Sequence, residues 1–201
     1  FAQTNSTESF RFKYEKKVSL REVKKISVLL DSTASALSQR LNVPLRRKFD
    51  VQLYATPDRL KKEFRSSLFD DGVYKNNKIY LVTVKGLADE TKAQDAVSRV
   101  AARAVLSQVQ FCPVWLIEAY SFYAGNAVAR FNRPSRSNIL TFHDLSEDFA
   151  RAERMADQKE IYAKLAATIS FLVDRYGEKK VESLFSQFKD GAGVEEVFES
   201  T

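Results

Sequence analysis

The 201-residue chain predicts an α+β fold, a small N-terminal mixed sheet with flanking helices followed by a mainly helical C-terminal half. Three observations carry this expectation. Period-two alternation of apolar and polar residues is confined to the first 88 residues, spacings of three and four dominate the rest, and Pro and Gly punctuate the runs.

Element by element, Phe10, Phe12 and Tyr14 alternate with Arg11 and Lys13, the pattern of a short half-buried strand. From Leu20 to Leu41 the apolar positions Val23, Ile26, Leu29, Leu30, Leu37 and Leu41 line one face of an amphipathic helix, which Pro44 ends. Phe49, Val51 and Leu53 form a second alternating strand that closes at Tyr54. Thr56-Pro57-Asp58 starts a helix expected to reach about Phe69, with the Thr56 hydroxyl as cap. Asp70, Asp71 and Gly72 make a turn, and Val73 to Val84 reads as a hairpin with Asn76 and Asn77 at its tip.

After Gly86 the pattern is helical. Ala96, Val97, Val100, Ala101, Ala104, Val105 and Val109 make a broad apolar face, Pro113 restarts the chain, and Trp115 to Tyr123 is apolar nearly all round, as in a buried helix. The polar stretch 126–138, with Arg130, Arg133, Pro134 and Arg136, is expected to be a surface loop. Helices are then expected from Met155 to Tyr176, from Glu178 to Phe188 and from Val194 onward, broken at Gly177 and at Gly191 and Gly193. The whole is expected to be one domain, 1–201, with a sheet-containing part at 1–88 and a helical part at 89–201.

Composition removes several classes of function. One His and one Cys cannot supply the three or four soft ligands of a usual zinc or iron–sulfur site, and no glycine-rich phosphate loop is present, so no cofactor is expected. No run of 18 apolar residues occurs, so no transmembrane segment is expected. Residues 1–85 hold 18 Lys and Arg against 9 Asp and Glu in a chain of net charge +6. Such a half suits an anionic partner (nucleic acid, lipopolysaccharide or an acidic protein) or is a solvated face. Its cations are interleaved with acids and lack the stacking aromatics of single-strand binders, so a solvated face and no nucleic-acid partner are expected.

The segment Ala96 to Gly125 reads AVSRVAARAVLSQVQFCPVWLIEAYSFYAG. Its second half, from Pro113 through Trp115, Leu116 and Glu118 to Tyr120, resembles the P-x-W-L-x-E-G-x-A-x-Y stretch of peptidase MA-like, gluzincin-type zinc metallopeptidases. The VQLYA run at Val51, the DGVYKNNKIYLV hairpin and FLVDRYGEKKVESLFSQFKDG resemble, in order, that family's sheet and C-terminal helices. The resemblance implies a gluzincin-like fold in which Glu118 matches the third zinc ligand. It also implies HExxH on the preceding helix, two histidines four apart on one face with the general base between them. The chain has Arg99-Val100-Ala101-Ala102-Arg103 there, and no residue from Thr91 to Gln110 is a histidine. A guanidinium has no lone pair to offer a metal. Arg99, Val100, Arg103 and Glu118 are therefore read as vestigial active-site positions, with no metal and no catalytic residue, and Trp115, Tyr120, Tyr162 and His143 as candidate cleft residues. Arg99 and Arg103 share a face that should look at Glu118, and at least one is expected to pair with it.

Other catalytic sets are weaker. Cys112 with His143, oriented by Asp144 or Asn138, has the residue types of a thiol hydrolase, but Cys112 between Phe111 and Pro113 is expected to be buried and inert. Glu118 with Asp144 or Glu147 is one of many carboxylate pairs that 26 acids make unavoidable. The Phe1-Ala2-Gln3 start resembles what remains near a cut secretory signal, so a bacterial, exported protein is expected. The expected function is a catalytically inactive metallopeptidase-like domain that binds a protein or peptide. The alternatives are a hydrolase with a non-zinc catalytic set on the same fold, and a basic binder of anionic surfaces whose cations gather on one face.

Overall fold

A computed structural model describes residues 3–64, 69–131, 145–147, 149 and 159–199. The described elements are β1 (Gln3–Ser6), β2 (Phe10–Tyr14), α1 (Leu20–Arg40), β3 (Phe49–Tyr54), α2 (Pro57–Glu63), β4 (Gly72–Lys75), β5 (Lys78–Val82), α3 (Val84–Leu87), α4 (Glu90–Leu106), α5 (Val114–Ala124), a 3₁₀ turn (Val128–Arg130), α6 (Lys159–Tyr176), α7 (Glu178–Lys189) and α8 (Val194–Glu199). The fold is α+β, a mixed sheet with its helices followed by a mostly helical half.

The five strands lie in the order β1-β2-β3-β5-β4. The three central strands are parallel, and each edge is an antiparallel strand. Parallel neighbours need a helical crossover, which α1 supplies between β2 and β3. Ser19 caps α1 by accepting from the Glu22 N–H. The face of α1 carrying Val23, Ile26, Leu30, Ala34 and Leu37 is buried, as are Phe10, Phe12, Phe49, Val51, Leu53, Ile79 and Leu81 of the sheet. Each such Phe or Leu contributes roughly 2 kcal/mol through burial. One continuous apolar core runs from these strands through α4 and α5 to Phe185 and Phe188 of α7.

Four local expectations change. Gln3–Ser6 is a strand, paired antiparallel with β2, although its sequence is polar throughout. Helix α2 stops at Glu63, short of Phe69, and Thr56 makes no side-chain cap bond. The hairpin is shorter, ending at Val82, because Thr83 caps α3 by accepting from the Gly86 N–H. The loop expected over 126–138 begins with the 3₁₀ turn, and Arg133, Pro134, Arg136, Asn138, His143, Asp144 and Met155 lie outside the described residues.

Helix α4 sits at the centre. Asp89 caps it by accepting from the Thr91 and Lys92 N–H groups, and ten of its residues are buried, including Arg99. Helix α5 ends against it at Gly125, where a Cβ would lie 2.5 Å from Arg99 Cβ and 2.6 Å from the Asp95 carbonyl oxygen. Both contacts are with the body of the neighbouring helix, so neither yields by a simple rotamer change. Gly125→Ala should lower stability by about 1–3 kcal/mol, the usual cost of overpacking a tight contact. The check is equilibrium urea unfolding of the variant beside the parent.

Candidate functional site

Arginines four apart on α4, Arg99 and Arg103, project toward α5 and the sheet edge and meet two carboxylates. Arg103 Nη1 lies 2.6 Å from Glu118 Oε2 of α5, and the Glu118 side chain is only 4% exposed. Arg99 turns the other way. It pairs with Asp71, which precedes β4, and its Nη1 donates to the Gly72 carbonyl oxygen at 3.0 Å. Its guanidinium lies 3.6 Å from the Phe69 ring centroid, a cation–π contact. The second Asp71 oxygen accepts from Arg130 Nη1 of the 3₁₀ turn at 3.0 Å. Five charged groups from α4, α5, the start of β4 and the 3₁₀ turn thus meet in one cluster, buried at Arg99, Asp71 and Glu118 and reaching the surface at Arg130.

Burial pulls the Arg99 guanidinium below its ordinary value; Asp71 and Glu118 oppose that shift and the neighbouring Arg130 and Arg103 add to it. Arginine remains charged regardless. The arrangement reaches the hairpin through Tyr74, whose ring centroid is 5.7 Å from the Arg103 guanidinium carbon. The Tyr74 hydroxyl donates to Ser107 Oγ at 2.7 Å, and Arg47 Nη2 donates to that hydroxyl, to Asn77 Oδ1 and to Ser107 Oγ.

The remaining candidates are placed differently. Trp115 is 1% exposed and stacked on Phe198 of α8, which places it in the core. Tyr120 is likewise fully buried. Its hydroxyl accepts from Arg40 Nη2 at 2.8 Å and donates to Glu182 Oε1 at 2.9 Å, joining α1, α5 and α7. Burial raises the Tyr120 phenol and the Glu182 carboxyl above their ordinary values. Tyr162 is half-buried, edge-on to Phe122 and Phe131, Val100 is buried in α4, and His143 lies outside the described residues. A cleft of about 1120 Å³ opens between the end of α5, the 3₁₀ turn and α6, with Arg40, Tyr123, Phe131, Ala166, Phe171 and Glu178 on its walls.

Sequence reasoning expected at least one of Arg99 and Arg103, four apart on one helix face, to meet Glu118, without saying which; Arg103 is the one that does. It missed Asp71, read as a turn residue, and Arg130, read as a loop cation. Adjacent acids in a turn carry no signal of a distant arginine. Arg40 and Glu182 were missed for the same reason, since their 142-position separation is closed only by the fold.

Comparison with protein families finds that the model of the Peptidase MA superfamily matches residues 32–201. The chain belongs to that superfamily. No curated protein and no solved structure matches it. The family implies a metal, and the donor set at Glu118 does not fit one: a single carboxylate faces a guanidinium, which repels a divalent cation and cannot ligate it. Among the described residues no group of three His, Cys, Asp or Glu side chains is placed to hold a metal ion.

Two expectations follow. Glu118→Gln should destabilise the protein by on the order of 3 kcal/mol, because it leaves the Arg103 charge facing a neutral amide. The double variant Arg103→Met with Glu118→Met should recover most of that loss, since an apolar pair of similar volume is often neutral; thermal unfolding of the three proteins checks both. Cys112 is 7% exposed, and burial raises its thiol well above the ordinary value, so little thiolate is present at neutral pH. Ellman's reagent should label native protein at pH 7.5 far more slowly than protein in denaturant.

Proposed function

We propose that this chain is a non-catalytic member of the peptidase MA superfamily, in which a salt bridge stands where relatives hold a metal and the surrounding surface binds a protein or peptide. The observation that carries the reading is the Arg103–Glu118 pair, joining the two helices that the family uses for its ligands. A hydrolytic zinc needs three protein ligands and an open position for water. Glu118 offers one carboxylate, and a fixed positive charge already lies against it. The polar continuation through Asp71, Arg99 and Arg130 ties the same place to the sheet edge, which suits a rigid binding wall better than an exchangeable metal site. The buried Cys112 thiol offers no substitute nucleophile.

Protein purified without chelator should contain well under one equivalent of zinc by atomic emission, and should leave casein intact with or without added zinc. Stoichiometric zinc, or hydrolysis abolished by 1,10-phenanthroline, would overturn the proposal.

A further inference from the structure

Cations and acids are interleaved along residues 15–25, in the order Glu15, Lys16, Lys17, Arg21, Glu22, Lys24, Lys25, and the fold separates the two signs. Glu15 turns inward. Its side chain is 13% exposed, one oxygen accepts from the Ala55 N–H at 2.9 Å and the other from Arg59 Nε at 2.9 Å. Glu22 accepts from the Lys85 N–H of α3 at 3.0 Å, and Lys25 pairs with Glu90. Lys16 and Lys17 are left outward, in a turn closed by the Val18 N–H donating to the Glu15 carbonyl oxygen at 2.9 Å. Arg21 and Lys24 follow on the first two turns of α1. All four are exposed, and none has a carboxylate partner among the described residues.

Two aliphatic side chains sit among these cations. Leu20 is 59% exposed and Val28 69% exposed. With Lys24 they fall at i, i+4 and i+8, one row along the outer side of α1. The inner side of the helix, with Val23, Ile26 and Leu30, already supplies the core contact, so packing does not account for the row. Helix stability does not account for it either. The first turns of a helix favour acids, and like charges three or four apart, as Arg21 is from Lys24 and Lys25, destabilise it. Asp31 ends the row, and its Oδ1 accepts from Thr7 Oγ1 at 3.0 Å. Exposure this high marks a projecting ridge, and the cleft beside α5 and α6 lies at the opposite, Arg40 end of α1.

We infer that this ridge of α1, with the Lys16–Lys17 turn, docks on a bilayer rich in anionic phospholipid, where Leu20 and Val28 enter the headgroup layer and Lys16, Lys17, Arg21 and Lys24 meet lipid phosphates. The ridge shares no residue with the Arg103–Glu118 cluster, and docking there is independent of what that cluster does. A bilayer suits the mixture of residue types. Lysine and arginine lay their methylene stems along apolar surface while the charged ends stay at the polar level, so cation and aliphatic neighbour are accommodated together. A single-stranded nucleic acid stacks its bases on aromatic rings, and residues 15–28 contain none. Contact of this kind is reversible and weakens as salt screens the charges.

The test is co-sedimentation of the whole chain with sucrose-loaded phosphatidylcholine vesicles, with and without a third of the lipid replaced by phosphatidylglycerol. The protein should pellet with the anionic vesicles at low ionic strength, stay in solution with the neutral ones, and be released as salt is raised. Arg21→Gln with Lys24→Gln should weaken partitioning by roughly 25-fold, about fivefold for each cation near the surface. Leu20→Ser with Val28→Ser changes no charge and should also weaken it, because the inserted apolar area is lost. Lys179→Gln with Lys180→Gln removes the same charge from an exposed pair on α7 and should leave partitioning unchanged. All six side chains are exposed, so each variant should unfold thermally at the temperature of the parent. Equal pelleting with neutral and anionic vesicles, no pelleting at low salt, or an equal loss in the Lys179 and Lys180 variant would each overturn the inference. Indifference to the Leu20 and Val28 substitutions would overturn it too, since the ridge would then be read by charge alone, as by an acidic protein or a polyanion.

Discussion

A guanidinium sealed inside a helical core is the constraint around which the centre of this protein is arranged. Arg99 is 4% exposed in the middle of α4, and an unpaired charge there would cost several kcal/mol. The fold meets that demand by bringing Asp71 to it at the start of the edge strand, together with the Gly72 carbonyl and the face of Phe69. Asp71 then needs a second cation for its other oxygen, which fixes the 3₁₀ turn through Arg130. One buried charge thus sets the relation of sheet edge, central helix and the chain leaving α5.

The same logic recurs between the helices. Arg40, Tyr120 and Glu182 form a chain in which a phenol is donor to a carboxylate and acceptor from a guanidinium. Directional bonds of this kind specify one packing of α1, α5 and α7, where apolar contact alone would tolerate small slides. On the opposite face of the sheet, α2 covers Tyr54, whose hydroxyl donates to Glu63 while Gln52 donates to that hydroxyl at 2.6 Å and accepts from Lys78. Tyr54, Glu63, Gln52 and Lys78 thus satisfy one another in a chain of hydrogen bonds across that face.

The fold was legible where periodicity was strong. Phe10, Phe12 and Tyr14 announced β2, the α1 stripe gave its buried face, and the Asn76–Asn77 pair, both at positive φ, marked the hairpin tip. Strand β1 was not legible, because Gln3–Ser6 carries no apolar residue and owes its conformation to pairing with β2. In the site, a single-helix spacing and a motif located Arg103 and Glu118. Asp71 and Arg130 stand 28 and 31 positions from Arg99, and no local pattern encodes such a meeting. Trp115 and Tyr120 illustrate the opposite hazard, since aromatic residues beside a motif suggest a cleft when their size and apolar surface draw them into the core.

The pairing of Arg103 with Glu118 also changes what the domain needs from its surroundings. A histidine-bound metal site assembles only where imidazoles are deprotonated and the ion is supplied, so its contribution to folding follows acidity and metal availability. Arginine keeps its proton at any physiological pH, and both members of this pair are made with the chain itself. The joint between α4 and α5 therefore closes with the chain's own side chains as soon as the two helices meet.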